Sequence, residues 1–156
     1  EGMYVYRVTR RVNAPPAKVY AVFAGLGGER GWLHANWAWR LRGFVDRLLG
    51  GPGFRRGRRH PDEIAEDDAV DFMRAEAVEA GRLLRLRLEA KTPGRFWLQF
   101  EADRGEKGTR FVQTVFFASR GLLGVLYWRA FHWLHIRIFA GLADQVARQA
   151  EGREQG

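Results

Sequence analysis

The sequence predicts an α+β fold in which a curved antiparallel sheet wraps around one long C-terminal helix. Three observations carry that expectation. Residues 121 to 149 read as a single helix with a broad aromatic and aliphatic face. The sixty residues before it alternate as successive strands joined by short breaks. One further strand opens the chain, and two shorter helices follow it. A wide apolar helical face requires a concave apolar partner, and a sheet gripping a helix commonly encloses a pocket.

The first strand is Tyr4 to Val12. Tyr4, Tyr6 and Val8 share one face, and Arg7, Thr9 and Arg11 share the other, as in a half-buried strand. Asn13-Ala14-Pro15-Pro16 ends it and opens a helix, because proline in a first helical turn forfeits no hydrogen bond. Val19, Tyr20, Val22, Phe23 and Leu26 make the apolar side of that helix, and Gly25, Gly27 and Gly28 terminate it. A second helix is expected from about Gly31 to Leu49. Trp37, Arg40, Leu41, Phe44 and Leu48 recur there at helical spacing, and Arg42 with Asp46 forms an i,i+4 pair. Gly50-Gly51-Pro52-Gly53 breaks it, and the acidic run from Asp62 to Asp68 reads as loop.

Four strands follow, at Asp71–Glu79, Leu83–Ala90, Arg95–Asp103 and Thr109–Ala118. Leu84, Leu86 and Leu88 oppose Arg85, Arg87 and Glu89, while Phe96, Leu98 and Phe100 oppose Gln99 and Glu101. Phe111, Gln113, Val115 and Phe117 share one face of the last strand. Asp71, Met73 and Ala75 form the smaller and expected inward face of the first. Ala80-Gly81, Thr92-Pro93-Gly94 and Gly105-Glu106-Lys107-Gly108 are short enough for hairpin connections. In the terminal helix, at about 100° per residue, Tyr127, Phe131, His135, Ile138, Leu142 and Val146 form the buried stripe. Trp128 and Phe139 flank it, and Arg129, Arg137, Asp144 and Arg148 lie opposite.

Composition sets outer limits. The 156 residues suit one domain over 1–150 with a polar tail at 151–156, and no repeat or linker divides them. A content of 46% hydrophobic and 28% charged residues is that of a soluble globular protein. The absence of cysteine excludes disulfides, thiolate chemistry and cysteine-ligated zinc. No export signal is legible at the start, so a cytoplasmic location is expected. A membrane span is not: Arg129, His132, His135 and Arg137 interrupt the one apolar stretch of sufficient length, and a central arginine costs about 2.5–3.5 kcal/mol on insertion. The formal charge of +8 comes from arginine. Its one dense cluster, Arg55, Arg56, Arg58, Arg59 and His60, is followed at once by Asp62, Glu63, Glu66, Asp67 and Asp68. Without interleaved aromatic side chains to stack on bases, that cluster does not point to nucleic acid.

The element order, with Ala14-Pro15-Pro16 opening the first helix, resembles the START-like or SRPBCC superfamily, the helix-grip fold. Local motifs add to the likeness: Gly31-Trp32, the run Asn36 to Gly43, Asp46-Arg47-Leu48 and the run Gly50 to Arg59. Asp71-Phe72, Pro93-Gly94-Arg95, Gln113-Thr114, Gly121 to Gly124, Tyr127-Trp128, His135 and Phe139 complete them. Together these resemble a bacterial family of uncharacterised function. Its members are often fused behind an NAD(P)-binding domain of the short-chain dehydrogenase or NmrA-like kind. Two positions depart from the pattern. Met73 stands where the family has tryptophan, which reshapes one wall of a pocket. Trp133 stands where it has proline, which implies a straighter terminal helix.

The expected function is a binding module for an apolar or amphipathic small molecule, lipid-like or aromatic. Phe96, Leu98, Phe100, Phe111, Val115 and Phe117 would line its cavity from the strands. Tyr127, Phe131 and Ile138 would line it from the helix, with Gln113 and His135 orienting a polar end. His135 has three readings: a core histidine bonded to a carbonyl or water, a ligand anchor, or a general acid/base. The enzymatic alternative is a cyclase, dehydratase or isomerase using His135 with Asp71 or Gln113 as catalytic groups. A structural alternative fills the cavity with its own aromatic rings. Trp37, Trp39 and Trp97 are expected as core residues closing the cavity ends.

Leu126 and Trp133 fall on the solvent side of the helix, as an apolar contact patch for another domain or a second copy of the chain. No nucleotide-binding loop is present, so an NAD(P) cofactor would belong to a fused or partner domain. His132 and His135 stand i,i+3 but lack a third clustered ligand, so no metal site is expected.

Overall fold

The computed structural model describes residues 3–26, 41, 44–45, 47–50, 59–60, 63–71, 73–89 and 94–152. Its strands are β1 (Met3–Val12), β2 (Ala69–Val70), β3 (Met73–Glu79), β4 (Leu83–Leu88), β5 (Gly94–Arg104) and β6 (Thr109–Ser119). Of the helices, two are described throughout, α1 (Pro16–Ala24) and the long terminal α2 (Gly121–Ala150). The strands form one curved antiparallel sheet in the order β1-β6-β5-β4-β3-β2, so the first strand in sequence lies beside the last. Helical backbone at 41, 44, 45, 47 and 48 falls within the expected second helix. The rest of that helix, including Trp37, Trp39 and the Arg42–Asp46 pair, lies outside the described residues.

The alternation written in the sequence becomes a layered inner face. Tyr4, Phe117 and Phe96 stand side by side in one row, and Tyr6, Val115, Leu98 and Leu86 in the next. Val8, Gln113, Phe100 and Leu84 form the third. Phe100 and Phe111 are fully buried and stack on Phe23 of α1, at centroid distances of 5.3 and 6.0 Å. Over the other part of the sheet lies α2, whose Phe139, Leu142, Ala143, Val146 and Ala150 are buried. A register shift between Ala75 and Ala77 marks a bulge in β3, the device that bends a strand locally.

One end of the sheet is fixed by close backbone contacts. Gly108, in the β5–β6 turn, has φ +82°, and a Cβ there would stand 2.3 Å from the Val12 carbonyl oxygen. Only glycine fits so close an approach. The next residue, Thr109, donates from its buried hydroxyl to the Ala14 carbonyl at 2.6 Å, tying β6 to the β1–α1 connection. Arg10 and Asp144 pair at 2.8 Å and join β1 to α2 along the same side.

Three sequence expectations are corrected here. Asp71 does not lie on a strand: it occupies the tight connection between β2 and β3 at φ +54°, a conformation that Asp tolerates better than most residues. It is nonetheless fully buried. Trp97 is on the outer face of the sheet, half-buried between Phe116 and Arg87, because it alternates with the inward Phe96 and Leu98. The buried seam of α2 is rotated by about 50° from the expected stripe, counted at 100° per residue. Trp128 and Phe139 lie at its centre, and Phe131, placed there by the sequence reading, is 46% exposed.

Candidate functional site

The aromatic end of the molecule forms where the N-terminal half of α2 crosses the row Tyr4–Phe117–Phe96. Trp128 is the centre of this group. Its ring stacks on Phe117 at 4.9 Å and 9°, and on Tyr4 at 5.6 Å and 26°. About two turns further along α2, His135 stacks on Trp128 at 5.2 Å and 19°. Phe139 follows, 6.2 Å from His135 and 5.5 Å from Phe96 of the sheet. Tyr127 closes the side, within 5.8 Å of His135, 6.1 Å of Phe117 and 5.4 Å of Phe131. The imidazole of His135 thus sits in a box of Trp128, Tyr127 and Phe139.

Burial divides the helix. Beyond Phe139 its inward side chains are closed off, whereas Tyr127, His135 and Ile138 are only half-buried. The inner surface at this end is therefore aromatic and partly accessible. The strand residues expected as lining separate accordingly. Phe96 and Phe117 face the aromatic box; Leu98 and Val115 lie one row deeper; Phe100 and Phe111 pack under α1.

Gln113 is fully buried in the third row, and its Nε2 donates to the Phe139 carbonyl oxygen at 2.8 Å. The bond from Gln113 thus meets α2 about one turn beyond His135. Asp71 is reached from the β2–β3 connection, just beyond Met73, which is buried in the core against Leu88. Sequence reasoning missed Trp128 and Phe139 as the central rings, although both stood beside the expected stripe.

A concavity of about 530 Å³ lies at the other end of the sheet, between Asn13–Pro16 and the turn at Arg104–Gly105. Its walls are proline, glycine and the exposed side chains of Arg104 and Glu106, without the aromatic lining that an apolar ligand requires. The aromatic end is the better candidate.

Outside the sheet, Arg59 donates to Asp68 at 3.0 Å, and that bond raises the guanidinium pKa above its ordinary value. One member of the basic cluster is thus neutralised locally, while Arg55, Arg56 and Arg58 lie outside the described residues. Among the described residues, no three His, Asp or Glu side chains gather as a metal ion would need. Among them, too, no helix is long and apolar enough to cross a membrane.

A family model described as "Protein of unknown function (DUF2867)" matches residues 3–142. The chain belongs to this family. No curated protein matches it. Among solved structures, this DUF2867 chain is similar to the ZhuI aromatase/cyclase from Streptomyces sp. R1128, with 16% identity and a TM-score of 0.59. That match covers 96% of this chain and 94% of the other. It is also similar to SA2116, a protein of unknown function from Staphylococcus aureus, with 10% identity, TM-score 0.59 and coverage of 97% and 95%. Truncated norcoclaurine synthase from Thalictrum flavum matches at 11% identity and TM-score 0.55, with coverage of 98% and 96%. At these identities the likeness shows a shared fold alone, the helix-grip arrangement of a curved antiparallel sheet around a long C-terminal helix.

Proposed function

We propose that this chain is a binding module that takes an apolar or amphipathic small molecule, aromatic or lipid-like, between the inner face of the sheet and α2. One observation carries the reading. Tyr127 and His135 are half-buried against the rings of Phe117, Trp128 and Phe139, while beyond Phe139 the inward side chains of α2 are closed against the core. Half-exposed aromatic rings beside a closed apolar core are the chemistry of an apolar site with one polar side chain at its rim. The fold shared with an aromatase/cyclase and norcoclaurine synthase supports small-molecule binding as the class of function.

The test is mass spectrometry of an organic extract from the purified protein, compared with a Tyr127→Arg variant. Tyr127 is half-buried, so the substitution changes the site without opening the core. A compound carried by the wild type and lost from the variant supports the reading. An empty extract, together with no saturable uptake of 2-naphthol or indole, overturns it.

The module acts beside an NAD(P)-binding oxidoreductase domain, fused or separate. Support comes from the family resemblance and from Leu126 and Trp133, which are 54% and 61% exposed on the outer side of α2. The same face is available to a second copy of the chain. Trp133→Asp should weaken association in sedimentation velocity; unaltered association would remove that face from consideration.

A further inference from the structure

The end of the sheet that carries the row Tyr4–Phe117–Phe96 also presents an outward surface. Here β1 begins at Met3, β5 begins at Gly94 and β6 ends at Ser119. Arg120 alone joins β6 to α2, so the helix leaves the sheet at a sharp corner. The first side chains of α2 stand clear of the protein. Leu122 and Leu123 are each 73% exposed, and a Cβ built on Gly121 would meet nothing within 4 Å. Met3, paired with Ala118 at the same end, is 58% exposed. The exposed charges beside these apolar side chains are arginines: Arg95 opposite Ala118, Arg120 at the corner and Arg129 two turns along the helix. The sequence holds no Asp or Glu from Met3 to Val12, from Ala90 to Phe100 or from Lys107 to Ala143. Glu89, just past the end of β4, is paired with Arg74 at 3.2 Å.

We propose that this corner docks the protein on an anionic lipid surface. Leu122, Leu123 and Met3 enter the interface, and Arg95, Arg120 and Arg129 meet the headgroup phosphates. Exposed leucine beside arginine, with no acid between them, suits a contact in which buried apolar area and attraction to anionic lipid add. Leu122 and Leu123 diverge by about 100° around the helix, so they project from a corner and form no flat stripe. A fluid bilayer receives such a corner, whereas a folded partner would need a socket shaped to it. The contact is peripheral, since no described helix is long and apolar enough to cross a membrane. Trp133 lies about 16 Å further along α2 than Leu122 and stays available to a partner domain. The docking stands apart from the binding role but gives it a direction, because the rings of Tyr4, Tyr127 and Trp128 lie just inside the corner.

Co-sedimentation with vesicles tests this, using phosphatidylcholine alone and phosphatidylcholine mixed with phosphatidylglycerol. The wild type should bind the mixed vesicles far better than the neutral ones. A double variant, Leu122→Ser with Leu123→Ser, should bind them about tenfold or more weakly. Arg120→Gln should weaken binding about fivefold. Arg148→Gln removes the same charge from an exposed position at the far end of α2 and should leave binding unchanged. All these positions are exposed, and melting curves establish that each variant folds. Binding that survives loss of both leucines, or that falls equally in Arg120→Gln and Arg148→Gln, would overturn the inference, the basic chain then adsorbing by net charge alone. Equal binding to neutral vesicles would overturn the part given to the arginines and to anionic lipid. No binding to the mixed vesicles would also overturn it, and self-association that disappears in the leucine variant would then assign the corner to a second copy of the chain.

Discussion

Gln113 and Phe139 are joined by one hydrogen bond, from side-chain Nε2 to main-chain oxygen at 2.8 Å, that ties the middle of β6 to α2. Such a bond contributes about 0.5–1.5 kcal/mol net, whereas the unpaired Oε1 at the other end costs about 1–3 kcal/mol. The two terms nearly cancel. Gln113→Leu should therefore change stability by no more than about 1 kcal/mol, while Gln113→Ala should lose about 2–5 kcal/mol through the cavity it leaves. Urea unfolding in the absence of ligand separates the two. A loss in Gln113→Leu as large as in Gln113→Ala would show the amide to be a net structural anchor.

Two glycines of the same backbone conformation should respond differently to alanine. Gly81 has φ +80° with nothing within 4 Å of a built Cβ, so Gly81→Ala meets only the left-handed strain, about 1–2 kcal/mol. Gly108 has φ +82° and a carbonyl oxygen at 2.3 Å, so Gly108→Ala must also push β1 away from the β5–β6 turn. Thermal unfolding should show the Gly108→Ala midpoint falling at least twice as far as that of Gly81→Ala. Equal shifts would show that the turn relaxes freely.

The Arg10–Asp144 pair at 2.8 Å is half-exposed at both ends. Its coupling should be about 0.2–1 kcal/mol in a double-mutant cycle of Arg10→Gln and Asp144→Asn. At 1 M salt, where the screening length falls to about 3 Å, the coupling should largely disappear. A value that persists in high salt would mean that the pair is held by packing around Asp144 rather than by charge.

The strands were legible because period-two alternation survives in every long one, from Tyr4-Tyr6-Val8 to Phe111-Gln113-Val115-Phe117. Hydrophobicity also revealed α2 as a helix but misjudged its phase. Leu122, Leu123, Leu126 and Trp133 are apolar and exposed, so apolar residues surround most of its first half and the sequence alone does not say which side turns inward. The choice is made by Phe117 and Phe96, whose flat rings accept Trp128 and Phe139. Neither β2 nor the position of Asp71 was legible. A two-residue strand has no period, and an Asp placed before a strand and an Asp within one look alike until Val70 pairs with Met73. At the candidate site, Gln113 and His135 stood out as polar residues on apolar faces. The hydrogen bond that fixes Gln113 spans from a strand to a helix backbone, and no local pattern encodes it.

The pairing of β1 with β6 also sets a sequence of events during synthesis. Met3 pairs with Ala118 and Val12 with Thr109, so the sheet's first strand in chain order waits for its last. The meander β3–β6 closes through short hairpins, whereas β1 must be recruited across about a hundred residues, a late and slow step by the entropy of loop closure. Until then β1 is a nascent strand with both edges open, the kind of segment that pairs with the wrong neighbour. Arg7, Arg10 and Arg11 occupy three of its ten positions. Their charges keep the waiting strand apart from its own copies until β6 leaves the ribosome.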